Sequence, residues 1–520
     1  MVPAAYSSSD APKELHVYVS AASGAVIASR DRLRTYAAAA AAPPPSAAVE
    51  APPLLPASAY VTPRSDSPTS RAAAERINKI LASKYDGPSM VPSRGVGQTL
   101  YSGEVPLDTA QVTRVTRSGV RPGDVYVLTD LQRLGQRTYD LRGREDEGEK
   151  GSAGTGEVVA ARRNTWGNGR ATDRATAAAD AHWGMGVVFD YYLERHNRLG
   201  IDGKGTPIYG RTHLGRRLND AYWTGNYVTY GDGSRPAGQL ASSCEGLPPL
   251  VTLDITGHEI SHGVIESSSR LSYEYSFGGL NEATADILSV CIQDFAHEKG
   301  ASPRPASFFP GSQMFAPTCP QPWIRSMVNP ADDGKSWSCW HPSFDATWVP
   351  NPDSSSGAPA PNPAPAPPGR ASARGRRAGR RGDAGGSGDA GAAQGGPQYC
   401  YVDVHWSSGP ANRAFWLMSK GLGCQAGAQV GGRPAPAPLG IRKACDVWYR
   451  ALTSYFTPVT DYYEARASTL AAAADLFPGG EAEVAAVSAA WDVVGAPDGP
   501  DGYGPRCDAG FAVDAAACAA

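Results

Sequence analysis

The chain has 520 residues, 19% of them charged, and 48 Lys and Arg stand against 51 Asp and Glu for a formal net charge of −3. That balance excludes the basic footprint of a nucleic-acid or anionic-membrane binder, and no run of about 18 apolar residues provides a membrane span. The nine cysteines form no CxxC pair, which argues against a zinc knuckle; several disulfides are open to a secreted chain, with an odd thiol left over and a pairing that sequence does not fix.

The first residues, MVPAAYSSSDAPKEL, have neither a basic n-region nor an apolar h-region and do not read as a signal peptide. Residues 14–35 read as a β-hairpin: HVYV alternates, SAASG turns and AVIA returns. An Ala- and Pro-rich linker runs from Ala37 to about Pro68. Short alternating runs between Gly95 and Asp140 (GQTLYSGEVPL, DVYVLTDL) predict a β-rich region. Residues 173–198 predict a long helix ended by Gly200, and 206–233 return to strands and turns. Helices are expected over 249–267 and 280–297. Residues 351–398 hold six arginines but no branched aliphatic, aromatic, Met or Cys side chain, so burial cannot offset the entropy of ordering them and disorder is expected. Helical patterns resume in ANRAFWLMSKG, IRKACDVWYRALTSYF and DYYEARASTLAAAADLF, and the last twenty-odd residues read as a frayed tail.

The stretch DITGHEISHGVIE (254–266) carries the chemistry. Residues four apart share one helix face, so His258 and His262 can reach one zinc ion, while Glu259 stands beside the first ligand as a base for a water. Glu266 continues the spacing, but eight helical residues place it about 12 Å along the axis from His258, too far for one ion, and it is expected to be a solvated helix-end residue. GGLNEATAD (278–286) supplies a better third ligand in Glu282, with Asp286 on the same face to accept the free N–H of a ligating imidazole. A third histidine six residues after His262 would fall at Ser268, so the three-histidine layout is excluded.

With HEISH followed by GGLNEATAD, the chain resembles the thermolysin family of zinc metalloendopeptidases. DAHWGMGVVFDYYLERHNRLGIDG, NDAYWTGNYVTYGDG, IRSMVNPADDG, VHWSSGPANRAFWL and YRALTSYFTPVTDYYEARASTLAAAADLF extend the resemblance in the family's order over roughly residues 95–495, apart from the insert. It implies an α+β fold of two lobes, β-rich then α-helical, with zinc in the cleft. The implied division is 1–36 as the terminal hairpin of a propeptide, 37–94 as a maturation linker, 95–267 as the N-terminal catalytic lobe, 268–350 with 399–495 as the helical lobe, 351–398 as an insert and 496–520 as a tail. The resemblance makes Tyr273 and His405 the donors to a tetrahedral oxyanion, Arg325 the ligand of a substrate carbonyl, and Asp220, Ala221 and Trp223 part of the substrate-binding edge strand. Ile255 and Ile324 fall at the S1′ pocket and imply a bulky apolar residue at P1′.

Three stretches depart from the family. Asp220 replaces its substrate-binding asparagine, and a carboxylate accepts hydrogen bonds but donates none. CYVDVH replaces Asp-x-Gly-Gly-x-His, leaving Asp403 to orient His405 if strand alternation puts both on one face. Asp254 matches one calcium ligand but Gln293 stands where a glutamate is usual, so any calcium site is reduced to Asp254 and Asp294. The resemblance thus implies a secreted zinc endopeptidase, a monomer made as a proenzyme that its own propeptide inhibits, acting on peptides and proteins. The alternative is a weakened relative that binds zinc and peptides without efficient cleavage.

Overall fold

The computed structural model describes residues 15–19, 26–31, 76–77, 90–116, 119–146, 150–235, 244, 246–341, 344, 402–421, 429–430, 433–434 and 437–498. The linker expected at 37–68, the insert at 351–398 and the tail beyond 498 lie outside the described residues.

The N-terminal hairpin forms within a compact unit of its own, Met1–Pro53. Its strands β1 (Leu15–Val19) and β2 (Val26–Asp31) pair antiparallel, Leu15 opposite Asp31, with the register slipping between Tyr18 and Val19.

The second unit, Leu54–Ala520, opens with a five-stranded sheet. Here β3 (Met90–Gln98), β4 (Glu104–Thr116) and β5 (Gly119–Val127) form an antiparallel meander. A six-stranded sheet follows, built from β6 (Thr129–Asp130), β7 (Gln136–Asp140), β8 (Glu157–Val158), β11 (Tyr209–Leu214), β12 (Ala221–Trp223) and β13 (Tyr227–Gly231). Two short strands, β9 (Ala160–Ala161) and β10 (Thr165–Trp166), close the edges of the first sheet. In the second sheet β12 pairs, among the described residues, only with β13, Ala221 opposite Tyr230 and Trp223 opposite Val228, so no described strand covers its other edge.

Helix α1 (Arg174–His196) begins at Asp173, whose carboxylate accepts from the Ala175 N–H. It stops before the predicted Gly200: Asn197 takes the left-handed conformation (φ 49°, ψ 30°), a role that asparagine fills after glycine. Helix α2 (Leu253–Glu266) carries the His-Glu-x-x-His motif and is buried from Leu253 to Ile265, His262 alone being half-buried. A helix covered on all sides needs small residues where its neighbours cross. A Cβ on Gly184 of α1 would stand 3.1 Å from Thr256, and one on Gly263 would stand 2.8 Å from the Trp223 ring.

Helix α3 (Tyr275–Glu298) starts five residues before the expected Leu280, running through Gly278 and Gly279. The helical lobe is completed by α4 (Gly409–Lys420), α5 (Ile441–Ser454), α6 (Tyr462–Leu476) and α7 (Glu481–Val493). Asp461 and Glu464 form a capping box at the start of α6. Trp448 and Trp491 stack with centroids 6.1 Å apart, and the Trp448 N–H donates to Thr284 of α3 at 3.1 Å. Cys291 is bonded to Cys445, tying α3 to α5, Cys244 is bonded to Cys319, and Cys339 is also in a disulfide. The β-rich N-terminal region and the helical C-terminal lobe are the two-lobed α+β architecture read from the sequence.

Candidate active site

Helices α2 and α3 place three ligands together. His258 Nε2 and His262 Nε2 are 3.1 Å apart, Glu282 Oε2 is 3.4 Å from the first and Glu282 Oε1 is 3.6 Å from the second. Among the described residues this is the one group of three or more His, Cys, Asp and Glu side chains whose ligand atoms converge, all within 4.8 Å.

Second partners fix the tautomers. His258 Nδ1 is 2.9 Å from Asp286, and His262 Nδ1 is 2.8 Å from the Asn281 side-chain oxygen, whose own amide nitrogen donates to Leu271 O. Both Nδ1 atoms therefore carry the proton, and two Nε2 lone pairs face each other beside a buried carboxylate whose Oε2 accepts no hydrogen bond. Lone pairs and a carboxylate gathered this closely repel unless a cation, a proton or a metal ion, lies between them, and the donor set of two imidazoles and one carboxylate fits a zinc ion. Without an ion, burial works against a charged His258, but Asp286 and Glu282 hold its pKa up at about 10. Burial, aided by the His258 charge, pushes His262 down to about 4.

Glu259 is buried, and burial raises its carboxyl to about 7, against the attraction of His258. Opposite it, the Tyr273 hydroxyl donates to Glu282 Oε1 and lies 3.5 Å from His405 Nε2. Tyr273 is 48% exposed, although its hydroxyl reaches in to the buried Glu282. Asp403 accepts from the His405 backbone N–H at 2.9 Å and is 2.8 Å from His405 Nδ1. The pairing expected of Asp403 is present, but strand alternation is not its cause. Residues Val404–Ser407 form a helical turn with Asp403 as N-cap, so one carboxylate caps the turn and orients the ring.

Two glycines of GGLNEATAD make room for that turn. A Cβ on Gly278 would lie 2.4 Å from Val404 Cγ1, and one on Gly279 would lie 2.6 Å from Ser407 Oγ and 2.9 Å from Ser407 O. Arg325 donates to both Asp286 oxygens at 2.8 and 3.0 Å, and Asn412 donates to Asp286 Oδ2 at 2.8 Å. Burial opposes ionisation of Asp286, but Arg325 and His258 outweigh it and hold the carboxyl well below the usual range. Sequence reasoning assigned no part to Asn281 and Asn412, although both stand inside quoted motifs. The signal for Asn281 was its place directly before the third ligand.

On the other wall, Trp223 packs on Gly263 and its N–H donates to Glu266 at 3.1 Å. Glu266 is exposed, as expected of a helix-end residue, but it also pins the edge strand to α2. Ile255 is buried in an apolar cluster with Leu250 and Met314, and Ala221 and Ile324 pack against it. Asp220 precedes β12 and faces the Lys150 ammonium at 3.7 Å.

The profile described as "Thermolysin metallopeptidase, catalytic domain" matches residues 94–266, and "Thermolysin metallopeptidase, alpha-helical domain" matches 269–355 and 377–496. The chain belongs to the thermolysin family. A transglutaminase-activating metalloprotease of Streptomyces mobaraensis is 29% identical over 431 residues, covering 81% of this chain and 44% of that protein. A thermolysin of Alicyclobacillus acidocaldarius subsp. acidocaldarius is 31% identical over 319 residues, covering 61% of this chain and 45% of that protein. The chain thus spans less than half the length of either relative. Among solved structures, the precursor of protealysin, a metalloproteinase from Serratia proteamaculans, is 20% identical with a TM-score of 0.45, covering 69% of this chain and 87% of that one.

Within this thermolysin-family frame Asp254, the first residue expected at a reduced calcium site, is engaged by the protein's own donors. Asp254 accepts from Thr252 Oγ1, from the Ile255 N–H at 2.9 Å and from the Gly311 N–H at 2.7 Å. The α3 residue that meets it is Ser289, which donates to Asp254 O. Gln293, one turn on, accepts from the Ser307 N–H, and Asp294 is rotated about 100° further around the helix. There burial and the Glu298 charge hold its carboxyl above the usual range.

Proposed function

We propose that the chain is a zinc endopeptidase acting on extended peptides. The observation that carries this reading is the convergence of two Nε2 lone pairs and the Glu282 carboxylate beside the buried Glu259. Held by His258, His262 and Glu282, zinc would supply Lewis acidity toward a carbonyl oxygen and a water.

The chain's own groups do the rest. Glu259 accepts the proton of the attacking water and passes it to the leaving amine nitrogen; a carboxyl raised to about 7 suits both halves of that transfer. On release from Glu282 the Tyr273 hydroxyl, together with His405 protonated on both ring nitrogens, donates to the oxygen that gains charge, and Asp403 holds the His405 ring with Nε2 toward the cleft. Arg325 keeps donors for a substrate carbonyl beyond the two taken by Asp286. An extended substrate adds as a strand to the open edge of β12. The Ile255, Leu250 and Met314 cluster supports a preference for a bulky apolar residue at P1′.

Disulfides at Cys244–Cys319 and Cys291–Cys445 support an oxidising, extracellular destination. The hairpin unit within Met1–Pro53 supports a proenzyme. The second reading, zinc and peptide binding without efficient cleavage, draws on Asp220; the short Asp403–His405 contact weighs against it.

The test is digestion of an unstructured protein by the full chain, before and after limited proteolytic removal of residues 1 to about 94. Expected are cleavage that chelation abolishes and zinc restores, a rise in rate on removal, and apolar residues after the mapped bonds. Cleavage that persists with chelator would overturn the reading, and stoichiometric zinc without cleavage would favour the second.

A further inference from the structure

The wall facing the ligands carries an ion pair that the proposed function does not use. Asp146 accepts from the Gly151 N–H at 2.9 Å, from the Ala153 N–H at 2.7 Å and from the Tyr222 hydroxyl. This pins the loop that carries Lys150 to β12, and it holds the Lys150 ammonium 4.5 Å from the centre of the Tyr222 ring and 3.7 Å from Asp220. Asp220 is fixed through its backbone, since its carbonyl accepts the Gly231 N–H at 2.9 Å. Asp220 leads directly into β12, whose Ala221 packs with Ile255 and whose Trp223 packs on Gly263 of α2, which places the pair at the same cleft as the reacting groups.

The side chains of Lys150 and Asp220 are 64% and 46% exposed, so hydrogen-bonding capacity remains at the end of an open strand edge. An extended peptide residue turns its N–H and its C=O toward the same neighbouring strand. One carboxamide side chain meets such a pair by itself, accepting with its oxygen and donating with its nitrogen. Asp220 accepts only and Lys150 donates only.

We propose that Lys150 is a substrate-binding residue, and that Lys150 and Asp220 act together as a split carboxamide, the ammonium donating to a substrate backbone carbonyl and the carboxylate accepting from a substrate backbone N–H. The inference rests on the peptide cleft of the proposed function. It adds that the apparent defect at Asp220 is made good from a loop remote in sequence, and that recognition there is of backbone and not of side chains.

The test measures binding in a Glu259→Gln background, where failure to cleave cannot mask it. The probes are a fluorescent neutral peptide with a bulky apolar P1′ residue and its counterpart carrying glutamates on both sides of that residue. Lys150→Met is expected to weaken both to a similar extent, roughly fivefold, the scale of an exposed charged contact. Lys150→Arg, which keeps a donor, is expected to stay within about twofold of the parent. Adding Asp220→Asn to Lys150→Met restores donor and acceptor in one group and is expected to recover most of the loss. With Glu259 intact, Lys150→Met is expected to raise KM and to leave kcat within about twofold.

Unchanged binding in Lys150→Met would overturn the proposal, as would a loss confined to the acidic peptide or a double variant no better than Lys150→Met. The expected pattern of binding losses and recovery, in a protein whose wild type never cleaves, would uphold this proposal while refuting the endopeptidase reading.

Discussion

Asn281 shows how a single side chain sets the chemistry of its neighbour. Its oxygen is held by the amide's own donation to Leu271 O, so it presents a fixed acceptor to His262 Nδ1 and leaves Nε2 free for a metal. Asn281→Ala is expected to weaken zinc binding about 10- to 100-fold with the fold intact, read by competition with a chromophoric chelator. His258, His262, Glu259 and Glu282 were legible because helix periodicity alone puts them on facing helices. Asn281 and Lys150 were not, because their roles depend on contacts that no local spacing encodes. Asp254 makes the same point: its match to a calcium ligand said nothing of the Gly311 N–H that serves it.

Elements explain what residues alone do not. His405, the proposed oxyanion donor, is delivered by a turn, Val404–Ser407, packed on the start of α3, and glycine stands at 278 and 279 of that crossing because no Cβ fits. Gly279→Ala places a methyl 2.9 Å from the Ser407 carbonyl oxygen, so the turn has to move. The variant is expected to lose at least tenfold in kcat/KM with zinc stoichiometry unchanged, since a shift of about 1 Å in a catalytic group costs on that scale. The turn was misread as a strand because four residues carry too little periodicity to separate the two. The long helices α1 and α2 were legible, and only their ends moved, as where Asn197 replaced Gly200 as the stop.

Across the whole molecule, stability rests on the joining of α1, α3 and α5. Cys291–Cys445 closes a separation of 154 residues between two buried positions. The double variant Cys291→Ala, Cys445→Ala is expected to be less stable by about 2–5 kcal/mol in denaturant unfolding. His196 of α1 stacks on Tyr449 of α5 at 3.6 Å. Burial, with Arg195 and Arg198 repelling the imidazolium, lowers its pKa to about 3. The folded state therefore keeps His196 neutral while the unfolded chain takes up a proton below about 6.5. Its contribution is present above that pH and is lost as pH falls toward 3. Between pH 6.5 and 5 the loss is about 2 kcal/mol. His196→Phe, which keeps a stacking ring, is expected to show a fall in stability over that range shallower by about this amount.

In the proposed function, Glu259 is the proton carrier of a zinc-dependent hydrolysis. The direct test is kcat/KM for one peptide with wild type and Glu259→Gln at equal zinc occupancy. A fall of about 10³-fold or more is expected for the variant, inside the roughly 10²- to 10⁴-fold scale of general acid–base catalysis. Activity of Glu259→Gln within tenfold of wild type would contradict it.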